Sequence, residues 1–354
     1  MTKSTTRVAA DLETFTQTEI TAKDVVAKAG RKNLIINGGF DVWQRGVTGS
    51  QANQAAYISA DRWLTYIDIS STVYLSKVAF ALGQTDVEGN PESYAKFDWL
   101  GTGSTALKVI EQRVENVIPV SGAPITLSFY ARTEQADDVE IRFIQDNGVG
   151  GSAQVSITGG TVDCTTSWKK FTKTITLPSL AGKTVNAGSY LKVGFWSQGT
   201  LNSHLELANV QLELGSVATD FEHRSYGEEL ALCQRYYEKS FNYDDAPANG
   251  SSATTFSTNA GRDFCDVAIW AKHSTINFNV EKRINPSITR YGNSSGYWGY
   301  LSVGTAAPAS DSAYAFHQNL LASSSSKKSV SANNQVSGQP LWGIIGHWTA
   351  DAEL

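Results

Sequence analysis

Cysteine, methionine and charge are all scarce in this chain. Its three cysteines, Cys164, Cys233 and Cys265, lie far apart with no CxxC pair, which excludes a disulfide framework and a zinc site and leaves buried free thiols as the expectation. A single methionine in 354 residues supplies almost none of the flexible filler usual in helix cores, which argues against a helical protein. Only 18% of the residues are charged and the net charge is −5, so there is no basic face to neutralise phosphates, and nucleic acid is excluded as the main ligand. Long apolar runs are missing too. Nothing approaches the ~20 residues that cross a bilayer, so no membrane insertion is expected. Residues 1–13 lack the apolar centre of a secretion signal, and the expectation is folding in a cytoplasm.

Catalytic signatures are equally lacking. His204, His223, His273, His317 and His347 form no HExxH, no i,i+4 pair and no nucleophile-elbow context. Acids are paired at Asp137-Asp138, Glu228-Glu229 and Asp244-Asp245. A glycosidase needs two carboxyls facing each other across a sugar at ~5–10 Å, whereas neighbours on a strand point to opposite faces. The glycine-rich Asn147–Gly151 has neither the Lys-Ser/Thr nor the following helix of a phosphate cradle, and it reads as a hairpin turn. No enzyme is expected. No repeat of fixed period occurs, which excludes β-helices and propellers.

Aromatic and strand-forming residues are plentiful. Nine Trp, fourteen Tyr and fourteen Phe suit pleated, half-buried surfaces. Between residues 33 and 222, about ten alternating runs, such as Ile125–Tyr130, Val139–Phe143, Phe171–Leu177 and Leu191–Trp196, are separated by turn residues and predict an all-β, two-sheet sandwich. Residues 1–32 are polar and free of alternation, and read as an attachment arm. Thr21-Ala-Lys-Asp24 has the form of a capping box and predicts a short helix at 22–29. A second such box, Ser225-Tyr-Gly-Glu228, opens a predicted helix over 226–237 inside a connector spanning 223–237. Residues 238–354 return to short strands (Val267–Trp270, Thr275–Val280, Ile288–Tyr291 and Leu341–Trp348) and predict a second, smaller β-sandwich-like domain, with Ser323–Lys328 as a solvated loop.

Four phrases go further: Asn33-Leu-Ile-Ile-Asn-Gly-Gly-Phe-Asp-Val-Trp-Gln-Arg-Gly46 with Ser59-Ala-Asp-Arg-Trp63; Asn209 to Glu222; Tyr226 to Lys239, which contains Cys233-Gln-Arg-Tyr-Tyr237; and Trp348-Thr-Ala-Asp-Ala-Glu-Leu354. Together they resemble the tail-fibre and receptor-binding proteins of tailed bacteriophages. The first two, with Ile125–Arg132, also look like the jelly-roll carbohydrate-binding modules attached to glycoside hydrolases. The resemblance implies a jelly roll at 33–222 and a virion protein made in the host cytoplasm. It also implies a homotrimer held to tail or neck proteins by its arm, with a distal tip at 238–354 that contacts host-surface glycans without catalysis. An architectural collar, neck or capsid-decorating fibre is the alternative.

Glycan recognition stacks aromatic rings on pyranose faces while polar groups satisfy hydroxyls. The candidates are Trp63, Tyr66, Trp99 and Trp196 in the sandwich, and Arg290, Asn293, Tyr297, Trp298 and Tyr300 in the C-terminal region. Trp43, Trp63 and Trp168 lie beside apolar strand residues and also suit a core. The resembling modules commonly carry a structural calcium, and the matching positions are Asp41 and Asn209. Ala208-Asn209 replaces the usual pair of aspartates, so calcium is not favoured.

Overall fold

A computed structural model describes residues 32–52, 54–67, 71–101, 107–134, 137–197, 203–243, 245–248, 273–291, 299–300, 321–325, 327–333, 344–345 and 347–354. The expected helix at 22–29, nearly all of the arm and the expected strand at 267–270 lie outside the described residues.

Alternation builds the sandwich. In β7 (Pro124–Thr133), Ile125, Leu127, Phe129 and Ala131 face the core, while Thr126, Ser128 and Tyr130 point the other way. This strand belongs to a six-stranded antiparallel sheet with β1 (Thr48–Ala52), β4 (Ser71–Ala79), β5 (Ser93–Gly101), β10 (Lys169–Thr176) and β12 (Ser203–Leu214), in the order β1-β4-β5-β12-β7-β10. The facing sheet joins β2 (Ala55–Ala56), β3 (Leu64–Ile67), β6 (Lys108–Glu115), β8 (Asp137–Asp146), β9 (Val155–Cys164) and β11 (Tyr190–Ser197), in the order β2-β3-β6-β11-β8-β9. One apolar core lies between them. Through it runs a chain of rings: Phe40 stacks on Trp63 at 5.0 Å, Trp63 meets Phe195 at 6.3 Å, and Phe195 meets Phe129 edge-on at 4.9 Å. Such pairs contribute about 0.5–1.5 kcal/mol each beyond the area they bury. Cys164 and Cys233 are buried thiols outside any disulfide, as expected.

The Asn-Gly-Gly-Phe phrase is a corner. Asn37 adopts a positive φ of 57°, and its side-chain oxygen accepts the N–H groups of Asp41 and Val42 while its amide donates to the carbonyls of Val42 and Asp61. Gly38 lies so close to β12 that a Cβ there would sit 2.0 Å from the Val210 carbonyl oxygen, which explains the glycine. Opposite it, β12 bulges between Ala208 and Gln211, with Asn209 at φ 48°.

The connector helix α1 (Tyr226–Gln234) starts where the capping box predicts: the Glu228 N–H donates to Ser225 Oγ, and the Ser225 N–H donates to the Glu228 carboxylate at 3.0 Å. It stops three residues short of the expected 237. Tyr237 instead begins β13 (Tyr237–Lys239), paired with β20 (His347–Asp351), and the Tyr236 carbonyl accepts the Ala352 N–H at 2.7 Å. Pairing with the far end of the chain overrides the local helical pattern. Strand β15 (Ser287–Tyr291) completes this three-stranded sheet. A second small sheet orders β14 (His273–Asn277), β18 (Ser329–Asn333) and β17 (Leu321–Ser325), and β16 (Gly299–Tyr300) pairs with β19 (Ile344–Ile345). The serine run expected to be loop is therefore partly strand: Ser323–Ser325 lie in β17, because serine backbones pair across a hairpin as well as any other. Among the described residues the chain is all-β with one short α-helix.

Candidate functional site

Among the described residues, two aromatic candidates, Tyr66 and Trp196, lie half-buried on the outer face of the second sheet. Because Ile110, Phe195 and Ile141 point into the core, their neighbours Val109, Trp196 and Glu140 point out. The ladder aligns Tyr66 with Val109, Val109 with Trp196, Trp196 with Glu140 and Glu140 with Thr161, one transverse row across β3, β6, β11, β8 and β9. Tyr66 and Trp196 are half-buried, and two strand spacings of ~4.8 Å separate them, with Val109 filling the gap. The next row carries Glu111, Gly194 and Arg142, and the one after it Arg113 and Lys192. Lys192 meets Glu111 at 3.0 Å and Arg113 meets it at 3.3 Å. The face thus offers two rings flanked by polar groups, which is the composition a saccharide needs.

Two expected ligand residues belong instead to the core. Trp63 has no exposed surface and its indole N–H donates to the Asn37 carbonyl at 2.9 Å. Trp99 is 3% exposed, stacked on Phe97, with the Lys108 ammonium 5.2 Å from its ring. In β5 the order Lys96-Phe97-Asp98-Trp99 alternates polar and apolar, so Trp99 must share the inward side of Phe97. Arg290 lies in β15 and Tyr300 in β16, while Asn293, Tyr297 and Trp298 lie outside the described residues. Sequence reasoning missed Arg142 and Glu140, although the alternation of Val139-Glu-Ile-Arg-Phe143 already set them on the side opposite the core. It also missed an aromatic cluster on the other sheet's outer face, where Phe80, Tyr94 and Trp168 lie within 5.4 Å of one another and Arg132 stands 4.9 Å over Trp168.

Asp41 and Asn209 do come together, lining one cleft of about 380 Å³ with Lys77, Glu92 and His223. A second cleft of about 420 Å³ adjoins it through Gly89, Asn209, Phe221 and His223. Burial raises the Asp41 carboxyl above its ordinary range, Lys77 opposes the rise, Glu92 adds to it and His223 lowers it. These residues do not fit calcium, which wants six to eight oxygens. The Lys77 ammonium, 3.5 Å from the Asp41 carbonyl, already supplies a positive charge. Asn209 Nδ2 donates to the Glu88 carbonyl at 2.9 Å and leaves its buried Oδ1 without a hydrogen-bond partner, but that is a single neutral oxygen, and no group of three potential His, Cys, Asp or Glu ligands occurs among the described residues. Excess chelator is expected to move the melting temperature of the full-length protein by less than ~2 °C; a fall above ~10 °C in a calorimetric scan would reveal a bound ion contributing several kcal/mol.

The phrases that stand out in the sequence converge elsewhere, where the sandwich meets β13 and β20. Arg45 reaches Asp61, Asp351 and Glu353, each at 3.3 Å, and its guanidinium lies 3.7 Å over the Tyr237 ring. Arg62 pairs with Glu353 and lies 3.5 Å over Tyr236. Arg235 grips Glu115 at 2.9 Å, and the Gln44 amide donates to the Tyr237 carbonyl at 2.8 Å. Burial is the largest single influence on Arg45 and Arg62 and works against their charges. It is outweighed by the surrounding groups together, Glu353, Asp61, Tyr237 and Asp351 at Arg45 and Glu353, Tyr236, Tyr57 and Cys233 at Arg62, so both guanidiniums stay above their ordinary range. Burial pushes Asp61 up to about 6 against the opposing pull of Arg45 and the Gln44 N–H. Every charged head of this cluster is bound to protein, and the cluster joins distant parts of the chain.

No protein-family model and no curated protein matches the sequence. Several solved structures are similar over about half of the chain. One, described as a CBM4 structure, is 19% identical over 51% of this chain and 98% of its own, with a TM-score of 0.30. TmCBM61 in complex with beta-1,4-galactotriose is 16% identical over 52% of this chain and all of its own, with a TM-score of 0.31. The enzymatically active domain of Bacteriophage CBA120 tailspike protein 4 is 10% identical over 52% of this chain but 21% of its own, with a TM-score of 0.31.

Proposed function

We propose that this protein binds glycans without catalysis, through the outer face of the sheet that carries Tyr66 and Trp196. The observation behind this reading is the Tyr66–Val109–Trp196–Glu140 row, which sets two half-buried rings on the outer side of one sheet beside ion-paired charges. The resemblance of four sequence phrases to phage tail-fibre proteins supports the further reading that this activity belongs to a virion, with the protein as a tail-fibre or receptor-binding subunit that contacts host-surface glycans. In this reading it is a homotrimer, with residues 1–32 joining it to tail or neck proteins.

A glycan array with the full-length protein tests the proposal. Trp196→Ala is expected to weaken binding about five- to tenfold and Tyr66→Ala somewhat less, since stacking contacts carry about a kcal/mol or more each. Light scattering on the same preparation should give three times the 38.3 kDa chain mass. A trimer on virions with no array signal from wild type would reassign the protein to an architectural fibre. A signal untouched by either substitution would move the site off this face.

A further inference from the structure

This inference rests on the glycan-binding reading of the β3–β6–β11–β8 face. Trp196 is the ring that reading needs most, yet one face of it is already occupied. Arg142, on the adjacent strand, holds its guanidinium carbon 4.0 Å from the Trp196 ring centroid, within cation–π range. Below the ring lies Gly194, the ladder partner of Arg142, where an added Cβ would stand 2.5 Å from the indole Nε1. The indole is therefore folded down along its own strand over a position without a side chain, and its Nε1 is buried with no hydrogen-bond partner. Arg142 is itself held from the side: its Nε donates to Glu140 Oε1 at 3.1 Å and its Nη2 to Oε2 at 2.6 Å. The two side chains remain 30% and 33% exposed, so there is room for the guanidinium to swing away.

We infer that Arg142 is a lid on Trp196, and that the glycan admitted beneath it is neutral. A guanidinium and a pyranose cannot share one ring face, so stacking requires Arg142 to leave, and its attraction to the ring and to Glu140 is subtracted from the affinity for sugar. Neutrality follows from the pairing of charges. Arg142 is held by Glu140, Lys192 and Arg113 share Glu111, and Arg113 also donates to the Leu354 carbonyl. The carboxylate of an acidic sugar would meet cations that already have partners, with two glutamates beside them.

The test uses the full-length protein on an array of neutral and acidic oligosaccharides, followed by calorimetry on the strongest neutral binder, with polygalacturonate as the acidic probe. Arg142→Ala is expected to bind the neutral glycan about three- to ten-fold more tightly than wild type, the release of one partly exposed cation–π contact and one surface ion pair. Glu140→Gln, which loosens Arg142 without removing it, should give a smaller gain in the same direction. Equal or weaker binding by both variants, while Trp196→Ala still loses binding, overturns the lid and leaves the site standing. Polygalacturonate binding that exceeds that of every neutral glycan overturns the assignment of class. If Trp196→Ala binds as wild type does, or nothing binds at all, the glycan reading of this face fails, and the lid with it.

Discussion

Replacing Glu353 with Ala should destabilise the protein by about 3–5 kcal/mol, the range for removing one partner of a buried ion pair. Glu353 bonds to Arg62 and lies 3.3 Å from Arg45, and these three side chains are between 1% and 9% exposed. Without it Arg62 keeps the Arg113 carbonyl and the Tyr236 ring, but loses its charge partner. Arg45 retains Asp61 and Asp351, so the cost should fall mainly on Arg62. Denaturant titration of the full-length variant measures the loss, and limited proteolysis should cut first within residues 238–354, where β13 and β20 lose their tie to the sandwich. Arg62→Met combined with Glu353→Leu should recover much of the stability, because it removes both charges and keeps apolar volume. A loss below ~1 kcal/mol for Glu353→Ala would show that the network is solvated and holds little together.

That interface marks the boundary of what the sequence could reveal. The sandwich was legible because alternation is local: Ile125, Leu127 and Phe129 on β7 and Val139, Ile141 and Phe143 on β8 declare one buried face each without reference to any other segment. The start of α1 was legible for the same reason, since Ser225 and Glu228 cap each other within one turn. The end of α1 was not, because the partner of Tyr237 is Asp351, which is distant in sequence. The link from Arg45 to Glu353 spans 308 positions, and no local pattern announces it. The motif phrases were conspicuous in the sequence, but their chemistry was open to two interpretations. The fold spends Gln44, Arg45, Asp61, Arg62, Tyr236 and Tyr237 on intramolecular contact, whereas the candidate glycan face joins two rings the sequence singled out, Tyr66 and Trp196, to residues of ordinary appearance such as Glu140 and Arg142.

The contrast between two tryptophans in the sandwich gives the second large effect. Trp63→Ala should cost about 3–5 kcal/mol of stability, as truncation of a buried aromatic does. Its ring has no exposed surface, packs on Phe40 and Phe195, and donates its N–H to the Asn37 carbonyl, so the cavity would open at the corner that positions Asp41, Val42 and Asp61. Trp63→Phe should retain most of the packing and lose that hydrogen bond, a cost of about 1–2 kcal/mol. Neither change should alter glycan affinity per folded molecule, because Trp63 touches no part of the outer face. Trp196→Ala should do the opposite, leaving stability within about 1 kcal/mol while removing stacking. Denaturant midpoints and calorimetric affinities on the three variants therefore form a crossed pattern. If Trp63→Ala left the midpoint unchanged and lowered affinity, the inward register of this segment would be wrong, and with it the assignment of Tyr66 and Trp196 to the outer face.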